Sequence, residues 1–383
     1  MSTLVTPART ARAAILLRQA APRPYATSRP VEIVEVELDA LEYGEVQVAI
    51  ASAGVCHSDL STVDATFVRP LPMTIGHEAA GTVEAVGPGV SRVGVGDHVV
   101  FAFVPTCGHC VECASGRPGL CEPGNRAGMA GTLLRGARRT RWNGEPLYTQ
   151  LGIGAFAERT ICAEESLVRI PDDVPLRIAA LFGCAALTGL GAVFNVARVE
   201  PGTSVAIFGA GGVGLMALLG ARAAGATSIV VVDPAAEKRA LAAELGATAT
   251  VDPGAGPSAT QVREALGGRG ARSAIEAVGN AQVLEDAYAA TGTGGTTVAV
   301  GLPRAEATAA IPHSLLVRQD RTLKGAFMGS SVPQRDIPRY TALWRAGRLP
   351  VERLVTGTVG LDQLNESLDA LAEGRAVRTV CIP

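Results

Sequence analysis

The sequence predicts an α/β fold in which a six-stranded, doubly wound parallel sheet is inserted into a β-rich domain. Three observations predict it. Near Asp172 the texture changes from short β-like runs between glycine turns to a regular alternation of strand and helix. A glycine pattern, GAGGVG at 209–214, directly follows the first strand of that alternation. Four cysteines, Cys107, Cys110, Cys113 and Cys121, crowd into one short lobe of the β-rich part with the spacing C-x2-C-x2-C-x7-C.

The apolar run at 13–17 begins the first strand, behind a loose tail of about ten residues. Arg9, Arg12 and Arg18 precede any acid, a bias shared with transit peptides, but the strand reading accounts for the segment better. VEIVEVEL at 31–38, VQVAIASAG at 46–54, AAGTVEAVG at 79–87 and GDHVVF at 96–101 read as further strands, because β-branched residues alternate with small or polar ones between glycines. The stretch from Glu122 to Thr149 is rich in Gly and Arg with little periodicity, so a long polar loop is expected. Strand character returns at 156–162 and 167–170.

A helix is expected at 175–180, and the alternation follows. SVAIF is a short buried strand, 213–224 an alanine-rich helix and SIVVVD the next strand. Helices at 235–245, 259–266 and 281–290 then separate the strands ATATV, SAIEAV and TTVAVG, with TLKGAF as the sixth. Six strands alternating with helices imply a doubly wound sheet. After Met328, helices at 337–346 and 361–373 and a last strand in AVRTVCIP are expected to return to the β-rich domain. The boundaries are therefore 1–185 for the β-rich domain with its cysteine lobe at 107–121, 186–327 for the inserted sheet and 328–383 for the return.

Hydrophobic residues at 48%, charged residues at 18% and a net charge of −2 describe a globular chain without bulk attraction for nucleic acid or an anionic membrane. No apolar run reaches the ~18–20 residues of a membrane span. Eight cysteines are too few for a disulfide scaffold, and their clustering favours metal in a reducing cytoplasm.

Four thiolates in one lobe suit a closed, tetrahedral structural zinc site. A zinc ribbon for nucleic acid is the rival, and the near-neutral charge argues against it. Cys56 in GVCHSD, His77 in GHE and Cys184 in FGCAALTG are three separated ligands that would leave a fourth zinc position open, as catalytic sites do. Cys162 and Cys381 sit in apolar strands and read as core; His98, His109 and His313 read as structural or exposed. In the glycine pattern, Gly209 permits a tight turn, Gly211 lets backbone approach a pyrophosphate and Gly214 allows close helix–strand packing. Asp233 ends the next strand, where a carboxylate accepts ribose hydroxyls and repels a 2′-phosphate, so NAD is expected over NADP.

GVCHSD, GHEAAGTVEAVG, GDHVV, the cysteine lobe, FGCAALTG, GAGGVG with VVVD, LKGAF and VRTV together resemble the zinc-containing alcohol dehydrogenases of the medium-chain dehydrogenase/reductase superfamily. The match covers nearly the whole chain, and the loop between Cys121 and Phe156 is nearest the dimeric long-loop classes. The resemblance implies a GroES-like catalytic domain, a Rossmann domain, two zinc ions per chain, NAD, and a small alcohol or aldehyde as substrate. It places Cys56, His77 and Cys184 on the catalytic zinc, with Glu78 behind it and Asp59 orienting His77. Ser58 falls on the hydroxyl that takes the substrate proton. His57 and Arg378 fall on pyrophosphate contacts, Asp233 and Lys238 on ribose contacts, and Thr188 beside the nicotinamide. Gly209, Gly211, Gly212, Val213, Gly214, Val300, Leu302 and Met328 complete the implied coenzyme contacts. Many members carry a histidine three residues beyond Ser58; Ser61 stands here, so His57 or water becomes the terminal proton acceptor.

The implied substrate pocket comprises Phe103, Gln150, Leu151, Leu302 and Phe327, a mostly apolar channel suited to a primary alcohol with a hydrophobic or aromatic body. Gln150 replaces a residue that is commonly bulky and apolar, which admits a polar substituent on the substrate. A thiol-dependent formaldehyde dehydrogenase is the nearest alternative, with Arg126, Arg135, Arg138, Arg139 and Arg141 as candidate cations for the thiol's carboxylates. A non-catalytic zinc-bearing relative is disfavoured by the retained ligands. A homodimer is expected, paired through a β-like segment at 308–317.

Overall fold

The computed structural model describes residues 9–383. The expected N-terminal tail lies largely outside the described residues, and the first strand already starts at Thr10. In chain order the strands are β1 (Thr10–Leu16), β2 (Val31–Leu38), β3 (Glu45–Val55), β4 (Met73–Thr74), β5 (Ala79–Val86) and β6 (His98–Phe101). Then come β7 (Thr140–Trp142), β8 (Glu145–Pro146), β9 (Tyr148–Thr149), β10 (Arg159–Ala163) and β11 (Leu167–Arg169). The parallel series is β12 (Ser204–Phe208), β13 (Ser228–Val232), β14 (Ala249–Val251), β15 (Ala271–Glu276), β16 (Thr291–Ala299) and β17 (Thr322–Gly325). β18 (Gly357–Val359) and β19 (Thr379–Cys381) complete the set.

Two compact units emerge. The first comprises 1–184, 332–341 and 355–383, the second 185–331 and 342–354. The expected return of all of 328–383 to the β-rich unit is corrected here: residues 328–331 and 342–354 cluster with the parallel-sheet unit. Arg348 donates to Ala223 O and Arg353 lies 3.5 Å from Glu244, both within that unit.

The first unit contains two sheets, in the orders β8-β7-β2-β1-β4-β9 and β11-β6-β5-β3-β19-β18, with β10 also pairing β3. β3 is buried along nearly its whole length, as its run of Val, Ile, Ala and Gly requires of a central strand. Its end at Val55 delivers Cys56, and its partner β19 delivers Arg378 just before Thr379. One core joins Val46, Val48, Met73, Ile75, Phe101 and Phe156; a second lies around Ile15, Leu147 and Ile161.

The stretch from Glu122 to Thr149 is more ordered than its composition predicts. It contains a helix, Glu122–Ala130, and the three short strands β7, β8 and β9. Three of its arginines are tied to acids: Arg139 Nε lies 2.9 Å from both oxygens of Glu45, Arg135 pairs with Glu165 at 2.6 Å and Arg141 with Asp39 at 2.9 Å, while Arg126 is exposed. Arg138 lies over the Tyr148 ring.

The second unit is a parallel sheet in the order β14-β13-β12-β15-β16-β17. SVAIF and SIVVV are buried after their first residue, the pattern of strands covered on both faces. β17 is an edge exposed at all four residues. The expected β-like segment at 308–317 is corrected: 308–312 form no strand and His313–Arg318 is a helix, since Pro312 sits at its N-cap and cannot continue a ladder. His313 thus begins a helix. Among the described residues no single helix is long and apolar enough to cross a membrane.

Candidate metal centres and dinucleotide site

Three elements of the first unit bring Cys56, His77 and Cys184 together. Cys56 follows β3, His77 lies in the turn between β4 and β5, and Cys184 follows a 3-10 turn, Ala180–Phe182. Their ligand atoms all fall within 4.8 Å of one another, and all three residues are buried. The backbone is shaped for this approach. Gly76 adopts φ +98°, and a Cβ there would meet Phe156 N at 2.5 Å; a Cβ at Gly54 would fall 2.8 Å from Glu78 Cδ.

Asp59 has two tasks. Its Oδ2 accepts the Cys56 N–H at 2.9 Å, capping the helix His57–Val63, while Oδ1 lies 2.8 Å from His77 Nδ1. That contact leaves Nε2 as the ring nitrogen for the cluster and fixes the imidazole plane. The ring edge of Phe103 packs near His77, with centroids 6.1 Å apart at 89°. Burial pushes the His77 pKa down, but Asp59 and, after it, Cys56 together more than reverse this, and the net shift is upward. A hydrogen bond with Cys184 is the main cause that lowers the Cys56 pKa, and the same bond raises that of Cys184. One thiolate is therefore already favoured, as a metal site needs.

Glu78 is fully buried, and neither carboxylate oxygen has a hydrogen-bond partner. Arg378 Nη2 stands 3.0 Å from Oε2 as an ion pair, and Nη1 donates to Val55 O at 3.2 Å. Burial raises the Glu78 pKa to about 8 despite that arginine. Sequence reasoning did not include this pairing: beside the phosphate contact it expected of Arg378, the side chain is 4% exposed and its Nη2 faces Glu78. Ser58 Oγ lies 3.9 Å from Cys56 Sγ; His57 is exposed.

Cys107, Cys110, Cys113 and Cys121 also gather within 4.8 Å. The Cys110 N–H points at Cys107 Sγ and the Cys107 N–H at Cys121 Sγ, each at 3.4 Å. A backbone N–H from Cys113 is the main cause that lowers the Cys110 pKa to about 6, and burial raises Cys113 to about 12. The donor sets fit zinc in both places: four sulfurs close a tetrahedron, whereas two sulfurs and one imidazole leave a position open. Cys162 and Cys381 are buried, and burial raises both thiol pKa values, that of Cys381 to about 12. His98 is half-buried, and His109 is exposed with its ring 2.9 Å from Cys107 O.

In the second unit, Gly209 turns at φ +98° and Gly211 precedes the helix Gly212–Ala223 with open space where a Cβ would be. A Cβ at Gly214 would stand 1.7 Å from Gly209 O, so helix and strand pack this closely only with glycine. Both oxygens of Asp233 are held by backbone, Oδ2 by Ala210 N at 2.8 Å and Oδ1 by Ala235 N at 2.9 Å. Arg239, the cation beside it, donates to Asp233 O and Pro234 O and pairs with Asp252 at 2.9 Å. Bare N–H groups at a helix start, a glycine cradle and a positioned acid fit a dinucleotide.

Profile comparison matches residues 42–172 to the alcohol dehydrogenase GroES-like domain and residues 212–345 to the zinc-binding dehydrogenase domain. Geraniol dehydrogenase of Castellaniella defragrans is 41% identical, with 92% of this chain and 94% of that protein covered. The chain belongs to the zinc-type alcohol dehydrogenases of the medium-chain dehydrogenase/reductase superfamily. An NDMA-dependent alcohol dehydrogenase of Amycolatopsis methanolica is 38% identical over 93% of this chain and 96% of its own length. Among solved structures, benzyl alcohol dehydrogenase of Acinetobacter calcoaceticus matches with a TM-score of 0.90 at 29% identity, covering 98% of this chain and 99% of that one. This zinc-type dehydrogenase is an oxidoreductase acting on alcohols, with the GroES-like and dinucleotide-binding architecture that its sequence predicts.

The pocket residues proposed by resemblance are distributed over both units. In the first, Phe103 and Leu151 are half-buried, and Leu151 adopts φ +52°. Gln150 is 2% exposed, and its amide turns into the fold: Oε1 accepts Gly76 N–H at 2.6 Å and Nε2 donates to Thr62 Oγ1 at 3.4 Å. The expected free amide for a polar substituent is therefore corrected. In the second unit Leu302 is 54% exposed, Phe327, Val300 and Lys238 are half-buried, and Thr188 and Met328 are buried.

Proposed function

We propose that this enzyme is an NAD-dependent zinc alcohol dehydrogenase that interconverts a primary alcohol with a hydrophobic or aromatic body and its aldehyde. The observation that carries this reading is the buried three-ligand cluster with an open fourth position. Zinc held by Cys56, His77 and Cys184 would act as a Lewis acid that lowers the pKa of the substrate alcohol. Asp59 holds the His77 ring and raises its basicity as a ligand. Ser58 takes the proton from the substrate hydroxyl, and His57, exposed at the start of its helix, is the terminal acceptor where Ser61 cannot serve. Glu78, steadied by Arg378, supplies a carboxylate behind the cluster. The four lobe cysteines hold a second, structural zinc.

Asp233 supports NAD: its carboxylate would bind ribose hydroxyls and repel a 2′-phosphate, while Arg239 is already neutralised by Asp252. Phe103 and Leu151, with relatives named for geraniol and benzyl alcohol, support an apolar substrate. The thiol-dependent reading is weakened, because Arg135, Arg139 and Arg141 are paired with acids and Arg138 lies over Tyr148, which leaves the exposed Arg126 of its five candidate cations. A homodimer is proposed through the exposed edge at β17, where Leu323 is 38% exposed and nearby Val317 is 68% exposed. A solution mass of two chains supports it, and one or four chains overturns it.

The deciding experiment is a panel of alcohols and aldehydes with NAD and NADP, read at the absorbance of the reduced nicotinamide, beside metal content per chain. Turnover of aromatic or terpenoid alcohols with NAD and two zinc ions per chain supports the reading. A preference for NADP would refute the placement of Asp233. Because one relative is named for NDMA dependence, the panel is run with and without NDMA.

A further inference from the structure

We propose that Gln150 is a positioning residue that locks the backbone before His77 to the helix carrying Ser58, and so sets where the proton-accepting hydroxyl stands relative to the metal ligands. The inference rests on the roles proposed above for His77 and Ser58; the contacts themselves do not.

Gly76 has a buried N–H, a left-handed φ of +98° and no room for a Cβ, so this turn has one way to exist. Its N–H reaches only one acceptor, Gln150 Oε1, at 2.6 Å. On the far side of the same amide, Nε2 donates to Thr62 Oγ1, and that hydroxyl donates in turn to Ser58 O at 2.9 Å. The chain of bonds therefore runs from the residue before His77, through one side chain, to the backbone carbonyl of Ser58. Thr62 is 2% exposed and Gln150 is itself pinned where its carbonyl accepts Ile153 N and Gly154 N. An uncharged amide offers an acceptor on one side and a donor on the other, which matches the two partners that Gln150 meets.

Two variants test it. Gln150→Met keeps the volume and removes both bonds; Gln150→Glu keeps an acceptor for Gly76 whatever its protonation. Hydrogen exchange at the Gly76 amide is measured in the zinc-loaded protein, together with zinc content, melting temperature, kcat, KM and the visible spectrum of the cobalt-substituted protein. For Gln150→Met, Gly76 exchange should accelerate at least ~10-fold, because a buried N–H loses its acceptor. Its kcat should fall roughly 10- to 100-fold with KM little changed, since small misplacements of reacting groups act at this scale. The cobalt bands should shift. Gln150→Glu should restore Gly76 protection and only part of kcat, since an ionised carboxylate has no donor for Thr62 Oγ1. Wild-type exchange at Gly76 in Gln150→Met, or a loss of kcat that Gln150→Glu shares in full, overturns the proposal. A wild-type protein with only one zinc, lost on changing Cys110, would refute the catalytic metal site while leaving the exchange result standing. If Gln150→Met does not fold, kcat and the cobalt spectrum of Thr62→Val test the second arm alone, and wild-type values of both overturn it.

Discussion

The two cysteine clusters are alike in chemistry and opposite in construction. The lobe draws four ligands from a single stretch, Cys107 to Cys121, containing one four-residue helix, Val111–Ala114, with no buried side chain. The triad draws three ligands from Cys56 to Cys184, on three separately packed elements, all buried. In the lobe short backbone turns, one Arg117–Glu112 ion pair and the Asn125 amide hold the chain around the four sulfurs, so metal binding contributes much of the folding there. In the triad Asp59, Gly76, Gly54 and Phe103 set the geometry in advance, and the metal finds a site already made. A fold that must leave one coordination position open has to hold the ligands by itself.

The comparison breaks most visibly at the lobe. Cys110→Ser should release one zinc and lower the melting temperature sharply, because structural zinc in small domains contributes ~10–16 kcal/mol of binding free energy at neutral pH. Metal at the triad should remain. A stable variant with unchanged metal content would mean that the lobe is held by its chain.

Ser58→Ala is the opposite probe, expected to cut kcat by ~10²–10⁴-fold with zinc content and melting temperature intact. If instead metal is lost, Ser58 belongs to the construction of the site. His57→Arg sharpens the same question: a pH profile of alcohol oxidation that overlays the wild type would send the proton out through water. Asp233→Ser should weaken NAD by roughly 10-fold, the scale of a lost charged hydrogen bond, and improve relative use of NADP. Because Asp233 also accepts from Ala210 and Ala235, a drop in melting temperature larger than the cofactor effect would make it chiefly a structural acid. Arg139→Met comes last: without its partner Glu45 is left half-compensated, and a loss of about 1–3 kcal/mol is expected by denaturant titration.

What the sequence made legible follows the same division. The lobe spacing, the glycine cradle and the six parallel strands are local or periodic signals, and each appears where expected. The triad needed a family pattern, since nothing local links Cys56 to Cys184. The stretch 122–149 was misread because its order comes from distant acids: Glu45, Glu165 and Asp39 hold its arginines, and no periodicity records that. Gln150 was misread for a related reason. A side chain's residue type says that it carries an amide, and only the fold says that Gly76 and Thr62 claim it. The segment at 308–317 carried β-branched and apolar residues, but Pro312 set a helix start instead.

The last strand has a consequence for how the protein is born. β19 occupies the place between β3 and β18, yet β3 is synthesised more than three hundred residues earlier. β10 fills the start of that flank early, but at ~5–20 residues per second the ribosome leaves the Ala53–Val55 end of β3 without its partner for tens of seconds. The parallel-sheet unit has its main segment, 185–331, well before, and its last piece, 342–354, still ahead of β19. Newborn chains should therefore pass through a stage with one finished unit and one open sheet, which is when a chaperone would matter most. A chain ended before Thr379 would stay in that stage permanently.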